Sequence, residues 1–300
     1  MTIRDVQRLR ELAAEMRVNI VRMMGANKAH HFGGSLSAAD VVTALYFYAM
    51  RYDPKNPTWP ERDRFIMSKG HCVPAQYAAL AMLGVIPMEE LPTLKQLGSR
   101  LQGHPAMQLT PGLEGCTGSL GQGLSYANGT ALAGRIQGRD YRVYCLLGDG
   151  EMQEGQVWEA AMTSVKHCLS NVTAIIDANG LKAMDETACG KIIDPIGARW
   201  EAVGWRAREI DGHDMAAICD ALDWAKAGGS APSAIVTHTI KGKGISFIEG
   251  RAAYHNAALT PEQIEQALAE LEASMARVRG EGAQASPGPS AAREMGKGEA

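Results

Sequence analysis

The sequence has no long apolar segment and no closely spaced pair of cysteines. No run approaches the roughly 20 apolar residues that a transmembrane helix requires. The charged N-terminus, MTIRDVQRLRELAAEMRVNI, differs from the apolar core of a signal peptide. The six cysteines form no CxxC pair, an arrangement typical of reduced thiols. We therefore expect a cytoplasmic protein that does not enter a membrane.

The sequence also lacks an excess of charge of either sign. Its 300 residues carry a formal net charge of −3, which gives no electrostatic reason to expect binding to nucleic acid or to an anionic membrane. Hydrophobic residues make up 46% of the chain and charged residues 21%. This is an ordinary globular composition with enough apolar residues for a substantial core.

What the chain does contain is an alternation of helix-like and strand-like segments, which is typical of an α/β protein with a mainly parallel sheet between helical layers. Residues 26–37, rich in small side chains, are predicted as a loop. We expect one domain over residues 1–279 and a disordered tail, rich in Gly, Ala, Pro and Ser, over 280–300. Helices are predicted over residues 4–25, 38–50, 74–83, 88–97, 119–136, 157–168, 195–203, 215–226 and 261–279, and strands over 141–147, 172–176, 205–210 and 234–238.

Two polar side chains stand where consecutive strands of this pattern end. The first strand stops at Gly148-Asp149-Gly150, and the next stops just before Asn179. Because a strand–helix–strand unit places parallel strands side by side, both ends emerge at the carboxyl edge, where open sheets bind ligands. Oxygen ligands suit magnesium, and the glycines allow a phosphate to approach the backbone. The pattern indicates a magnesium–diphosphate site or, alternatively, two ordinary strand-end turns.

Further segments with chemically informative residues stand in order along the chain. They are Ser68-Lys69-Gly70-His71, Gly103-His104-Pro105, Thr110-Pro111-Gly112-Leu113-Glu114, Thr117-Gly118-Ser119-Leu120-Gly121-Gln122-Gly123, and Lys241-Gly242-Lys243-Gly244 with His255. Together with the Gly-Asp-Gly segment and the later Asn, they resemble the transketolase family in content and order, over about residues 10–270. The resemblance implies the thiamine diphosphate-binding fold, a three-layer α/β/α arrangement around a mainly parallel central sheet.

The resemblance also implies cofactor and metal contacts. Asp149, Asn179 and Leu181 would hold magnesium, for which calcium or manganese could substitute. Without the resemblance, Lys241 would belong to a flexible basic loop. Likewise, without the resemblance, two roles are open for the glycines of residues 118–123. They could expose backbone N–H groups to an anion, or they could only allow tight packing of a helix start. Thiamine diphosphate would be contacted by His71, Gly118, Leu120, Asp149, Gly150, Asn179, Lys241 and His255.

The same resemblance implies the catalytic residues. His31, His104 and His255 would face the sugar substrate, whereas Glu154 and Glu159 would lie at a dimer interface and help to link two active sites. Each also has a simpler explanation. The histidines could simply be exposed or locally hydrogen-bonded, as single loop histidines commonly are. They could also bind zinc, although their spacing matches no local ligand motif. The two glutamates could be favoured by the helix dipole, because they lie near a helix start.

One position departs from the pattern of the family. The first histidine segment of the family begins Gly-His, whereas this chain has His30-His31-Phe32-Gly33-Gly34. The added side chain of His30 indicates either a different loop conformation or a substrate other than the usual pentose phosphate. Alternatively, His30 points away from the site.

The resemblance implies the N-terminal subunit of a two-component transketolase, which transfers a two-carbon ketol unit from a ketose, usually phosphorylated, to an aldose. Family transketolases are about twice as long as this chain, so we expect a separate C-terminal subunit, no turnover without it, and two copies of each chain. The alternatives are a component of another thiamine diphosphate enzyme, resembling deoxyxylulose phosphate synthase or a 2-oxo acid dehydrogenase, and a non-catalytic regulatory paralogue. The sugar is left open.

Overall fold

The computed structural model describes residues 2–27, 30–181 and 193–285. These residues contain a five-stranded parallel sheet with the strand order β1-β2-β3-β5-β4. β1, β2 and β3 are buried almost throughout, because helices cover both faces of the sheet. Such strands consist of apolar runs rather than alternating patterns. The strands are β1 (Arg64–Met67), β2 (Val143–Gly148), β3 (Val172–Ala178), β4 (Arg206–Asp211) and β5 (Ser233–His238).

Helices cover both faces of the sheet. One apolar core joins α1, α3, α4 and α8 to one face, and a second joins α5, α6 and α7 to the other. The predicted three-layer architecture is confirmed. The helices are α1 (Val6–Gly25), α2 (Phe32–Ser37), α3 (Ala39–Ala44), α4 (Val73–Met82), α5 (Gly123–Ile136), α6 (Gly155–Lys166), α7 (Ile196–Ala202), α8 (Met215–Ala227) and α9 (Pro261–Ala285).

Side chains of the expected type begin two of these helices. The Asp5 carboxylate accepts a hydrogen bond from the backbone N–H of Gln7 at 2.9 Å before α1. The Asp214 carboxylate accepts from Ala216 at 2.9 Å and from Ala217 at 3.3 Å before α8. An aspartate at this position satisfies N–H groups that have no partner inside the helix. Among the described helices, none is long and apolar enough to cross a membrane.

Most predicted helices and strands are confirmed within a few residues, but two predictions near the site were wrong. No strand was predicted before residue 141, yet Arg64–Met67 forms β1. Its four residues are too few to show a period. The predicted loop over 26–37 contains α2, and every residue of α2 is buried. Burial of this small-residue segment has overridden its low helix propensity.

Two helix boundaries also differ from the predictions. The helix predicted from Ser119 begins only at Gly123, where a Cβ would lie 2.6 Å from the Cα of Ser68, so this glycine permits a close approach to the end of β1. The segment predicted as a helix over 88–97 is a 3₁₀ helix over Met88–Thr93. At the C-terminus α9 runs to Ala285, into the segment predicted as a tail, and residues 286–300 lie outside the described part of the chain.

Candidate functional site

The ends of β2 and β3 lie side by side at the carboxyl edge of the sheet. Gly148 is paired in register with Asp177, so Asp149, which follows β2, lies beside the end of β3. The two carboxylate oxygens of Asp149 accept hydrogen bonds from the backbone N–H groups of Gly150 and Gly180, each at 2.8 Å. The two strand tips therefore meet, as the sequence predicted.

Asn179 is held in one orientation by its neighbours. Its Nδ2 donates to the Asp177 carboxylate at 3.1 Å, and its Oδ1 accepts from the backbone N–H of Leu181 at 3.2 Å. Because a carboxylate can only accept, the NH₂ group must face Asp177. The amide oxygen therefore lies on the side of Leu181, and its second lone pair can coordinate a cation.

A buried ion pair that sequence reasoning missed joins the ends of β1 and β3. The Lys69 ammonium contacts the Asp177 carboxylate and donates to the carbonyl of Gly34 at 3.1 Å. Ser37 and Thr239 donate hydroxyl hydrogen bonds to the same carboxylate. Burial alone would raise the pKa of Asp177, but the charge of Lys69 and these hydrogen bonds hold it below its usual range. The pair stays charged and ties the segments around it together.

A cavity of about 260 Å³ opens between these strand ends. All the residues predicted to bind the cofactor or metal line it, except Gly118. A larger cavity of about 850 Å³, between the N-terminal segment and α8, contains none of the predicted site residues. The cavity at the strand ends is lined by Gly34, Lys69, His71, Leu120, Gly148, Asp149, Gly150, Glu151, Asn179, Leu181, Lys241 and His255.

Three histidine rings pack against one another at this cavity. The centroid of the His31 ring lies 5.0 Å from that of His71, and His255 lies 5.5 Å from each of them. Burial, with smaller contributions from neighbouring positive groups, lowers the pKa of His31 to about 3 and the pKa values of His71 and His255 to about 4. All three are neutral near pH 7, so each ring can donate one hydrogen bond and accept one.

His104 comes to the site from a separate loop, beside Gly118. A Cβ on Gly118 would lie 3.8 Å from the His104 ring, so these two predicted segments meet. Burial and neighbouring positive groups lower the pKa of His104. One of those groups is Lys95, which sequence reasoning missed; its side chain lies against Gly103, where a Cβ would collide with it. Its charge acts on both His104 and His31.

Lys241 lies at the same edge of the sheet, just after the end of β5, which pairs with β3. Its ammonium donates to the carbonyl of Leu181 at 3.0 Å and to Nδ1 of His255 at 2.7 Å. Since an ammonium cannot accept, Nδ1 of His255 is the acceptor and Nε2 carries the proton. Burial lowers the pKa of Lys241 to about 8, so it remains largely protonated at neutral pH. Lys241 therefore brings a positive charge to the carbonyl that was predicted to face the metal.

Glu151 is a further residue that sequence reasoning missed. Its buried carboxylate accepts hydrogen bonds from the backbone N–H groups of Gly121 at 2.9 Å and Gly148 at 3.0 Å, and from the hydroxyl of Ser68. Burial raises its pKa above the usual range. Glu151 thus joins three of the predicted segments. Its position directly after Gly-Asp-Gly is the feature of the sequence that could have identified it.

The two predicted interface glutamates lie away from the cavity. Glu154 immediately precedes α6, Glu159 lies within it, and both side chains are exposed. His30 is exposed as well and does not line the cavity. A single chain does not bring Glu154 or Glu159 to the site, so their role across a dimer interface stays a prediction.

The donor set at the strand tips fits a hard divalent cation. Within the described residues, no group of three or more His, Cys, Asp or Glu side chains is placed to hold a metal. One carboxylate, one amide oxygen and one backbone carbonyl suit magnesium, which keeps few protein ligands and takes the rest from phosphate and water. Burial raises the pKa of Asp149, and a bound cation would offset the cost of its buried negative charge.

Comparison with known proteins places this chain in a family. A profile described as "Transketolase, thiamine diphosphate binding domain" matches residues 9–276. Over 267 residues the chain is 43% identical to the 6-deoxy-6-sulfo-D-fructose transketolase subunit of Clostridium sp. strain MSTE9, covering 87% of this chain and 97% of that protein. It is 41% identical to one of the subunits of apulose-4-phosphate transketolase from Phocaeicola vulgatus, covering 89% of this chain and 95% of that protein.

Longer relatives match over part of their length. The chain is 38% identical to human transketolase over 267 residues, which is 89% of this chain and 42% of that protein. The solved structure of transketolase from Campylobacter jejuni superposes with a TM-score of 0.81 at 32% identity, covering 93% of this chain and 46% of that one. The fold described above therefore corresponds to somewhat less than half of each of these longer chains.

Proposed function

The chain belongs to the transketolase family, and we propose that it is the thiamine diphosphate-binding subunit of a two-component transketolase. The observation that carries the proposal is the convergence of Asp149, Asn179 and Lys241 on one cavity at the carboxyl edge of the sheet. Relatives of matching length, which are named as transketolase subunits, support it. A regulatory paralogue would have no need to retain this set of polar groups.

In this proposal the strand tips would hold a magnesium ion together with the diphosphate of the cofactor. Asp149, Asn179 and the carbonyl of Leu181 supply the protein ligands, and calcium or manganese could take the place of magnesium. Lys241 and His71 line the same cavity and can donate hydrogen bonds to diphosphate oxygens. Lys69 contributes less directly to binding of the diphosphate, because its charge is already paired with the carboxylate of Asp177.

When bound, thiamine diphosphate supplies the carbanion-stabilising chemistry of ketol transfer. The residues of this chain would bind and orient the cofactor and the sugar, and would exchange protons with them. His31 and His104 are neutral, so each can donate a hydrogen bond to one sugar oxygen and accept one from another. His255 is also neutral, but its Nδ1 accepts from Lys241, so it can only donate, through Nε2. Leu120 adds an apolar wall to the cavity, and Gly118 places the loop before α5 beside the ring of His104.

We propose that the sugar substrate carries an anionic group. Lys95 supports this, because its ammonium lies close enough to His31 and His104 to lower the pKa of both. The names of two relatives specify a sulfo-fructose and a sugar phosphate. His30, which precedes this histidine cluster and is exposed, is a candidate for contact with the distant end of the sugar.

The proposed enzyme contains two copies of this chain and two of a C-terminal partner subunit. α5 and α6 pack side by side and expose the apolar side chains of Tyr126 and Met162, which are 44% and 55% exposed. Glu159 lies three residues before Met162 on α6, and Glu154 immediately precedes this helix. Apolar side chains exposed on a helix pair support contact between copies of this chain. A cytoplasmic location is supported by the free thiols of the described residues.

The test is reconstitution. The purified chain is assayed for ketol transfer alone and with its candidate partner, in the presence of thiamine diphosphate, magnesium, and a panel of phosphorylated and sulfonated ketose donors with aldose acceptors. We expect product only when both chains are present. Steady-state turnover by this chain alone would contradict the requirement for a partner. Failure of the chain and of the reconstituted pair to bind thiamine diphosphate would overturn the proposed function as a whole.

A further inference from the structure

A chain of contacts outside the cavity runs from α1 to the residue before Lys241. The guanidinium of Arg17 on α1 binds the carboxylate of Asp40 on α3, with Nη1 at 3.1 Å from Oδ1 and Nη2 in contact with Oδ2. Oδ2 of Asp40 lies 2.7 Å from Nδ1 of His213. Nε2 of His213, in turn, lies 2.8 Å from the backbone nitrogen of Ile240. The contacts thus join α1, α3, the turn after β4 and the loop after β5.

These contacts determine which nitrogen of the His213 ring carries a proton. The backbone N–H of Ile240 can only donate, so Nε2 of His213 must accept and carries no proton. The proton of the neutral ring is therefore on Nδ1, where it is donated to the carboxylate of Asp40. Burial alone would raise the pKa of Asp40, but Arg17 and the contact with His213 lower it to about 2, so the acceptor is ionised.

The turn that carries His213 has little freedom to move. The backbone N–H of Gly212 donates to the carbonyl of His238 at 2.8 Å, and a Cβ on Gly212 would lie 2.9 Å from the Cβ of Thr237. The backbone N–H of His213 donates to the Asp211 carboxylate at 2.8 Å. The side chain of His213 is only 14% exposed. The imidazole therefore presents its acceptor nitrogen from a rigid support.

Ile240 donates this hydrogen bond from its backbone N–H, and its carbonyl accepts from the N–H of Lys243 at 3.2 Å. The side chain of Ile240 is 39% exposed, so apolar burial does little to hold the backbone there. On the far side of Lys241, the N–H of Gly242 donates to the carbonyl of Gly33 at 2.9 Å. The stem of Lys241 also lies against Gly33, where a Cβ would come within 2.8 Å of its Cγ. The amides on both sides of Lys241 are thus fixed, one of them by His213.

We infer that His213 is a positioning residue for Lys241: oriented by the Arg17–Asp40 pair, it holds the backbone of Ile240 so that the ammonium of Lys241 reaches the diphosphate-binding end of the cavity. The inference rests on the proposed function, because it assigns Lys241 to diphosphate binding. His213 itself does not line the cavity. Its effect should therefore be expressed only through Lys241.

That dependence can be measured with a double-mutant cycle on the full chain. The affinities of His213→Leu, Lys241→Met and the double variant for thiamine diphosphate with magnesium, and for inorganic diphosphate with magnesium, are determined by calorimetry. We expect His213→Leu to weaken binding about 10-fold, the effect of losing one well-placed hydrogen bond. In the Lys241→Met background the same substitution should change binding by less than about 2-fold, because the two changes act through one contact.

Two further variants separate positioning from general damage. His213→Gln can offer an amide oxygen to Ile240 and an N–H to Asp40, and it should recover most of the lost affinity; it also provides the measurement if His213→Leu does not fold. His238→Leu is the matched control. His238 is likewise paired with a carboxylate, at 2.8 Å from Glu209, but its side chain is 56% exposed. We expect His238→Leu to bind diphosphate like the original chain.

The outcomes distinguish this inference from the function on which it rests. If the original chain binds neither thiamine diphosphate nor inorganic diphosphate, the proposed function fails and the inference with it. If the original chain binds and His213→Leu binds equally well, only the inference is overturned. A loss that is the same with and without Lys241 would also overturn it, because His213 would then act by a route other than this lysine.

Discussion

Lys69 and Asp177 form a buried ion pair at the ends of β1 and β3, with side-chain exposures of 3% and 1%. The same carboxylate accepts a hydrogen bond from Nδ2 of Asn179. The pair therefore does two things: it joins two strand ends that are separated by β2, and it sets the orientation of an amide predicted to hold the metal. Two consequences, one for stability and one for pH dependence, can be measured.

Lys69→Met should strongly destabilise the fold. Removing the ammonium leaves the buried carboxylate of Asp177 unpaired, and breaking a buried pair in this way costs about 3–5 kcal/mol in the free energy of unfolding. Urea denaturation monitored by circular dichroism would measure it. The matched control is Arg22→Met, which removes an exposed ion pair with Glu272 and should cost less than about 1 kcal/mol. Equal effects of the two substitutions would contradict the structural role of the buried pair.

The pH dependence of this pair has a defined sign. The pKa of Asp177 is lower in the folded protein than its usual value, so the carboxylate stabilises the fold above the usual aspartate pKa. That contribution is lost as the pH falls through the folded-state pKa. The difference in unfolding free energy between the original chain and Lys69→Met should therefore shrink in acid. A difference that grows as the pH is lowered would be inconsistent with the assignment.

Asp149→Ala should abolish the magnesium-dependent binding of thiamine diphosphate. The substitution removes the only carboxylate predicted to coordinate the metal. We expect a loss of affinity greater than about 100-fold, beyond the effect typical of residues that merely support metal ligands. Calorimetry with and without magnesium would measure it. Asp140→Asn, at the opposite end of β2 and 84% exposed, is the control. Unchanged affinity in Asp149→Ala would count against the proposed metal site.

His104→Ala and His71→Ala should affect different steps. His71 lines the cavity between the strand ends, whereas His104 approaches it from a loop beside Gly118 and near Lys95. In the reconstituted enzyme, His104→Ala should lower kcat/KM for the sugar with little change in the affinity for thiamine diphosphate. His71→Ala should weaken the binding of thiamine diphosphate. The reverse pattern would require the two roles to be exchanged.

Glu151→Gln tests the buried carboxylate that follows Asp149. Burial raises the pKa of Glu151, and a carboxyl with a higher pKa in the folded state binds its proton more tightly when folded. Its contribution to stability is greatest in acid and falls as the pH rises between the unfolded and folded pKa values. The stability of the original chain relative to Glu151→Gln should therefore decrease as the pH rises above about 4.3. Urea unfolding across this pH range would measure it, and a flat or increasing difference would refute the prediction.

The linear pattern of residues was sufficient for the α/β class of the fold and for the meeting of the two strand tips that carry Asp149 and Asn179. Strands β2 and β3 are apolar runs that each end in a polar turn, and the helix between them has a clear period. Parallel pairing then requires that Asp149 and Asn179 share one edge. These features depend on residues that are close together along the chain, and for that reason they could be predicted without knowledge of distant contacts.

Other parts of the site depended on contacts that the linear pattern does not contain. Lys69 and Asp177 are 108 positions apart, Ser68 and Glu151 are 83 apart, and Asp40 and His213 are 173 apart. β1 was missed because its four residues show no period, and without β1 nothing places Lys69 beside the end of β3. Only the packing of the sheet and its helices brings these side chains together. Once they are buried in a shared low-dielectric interior, each charged group depends on its partner.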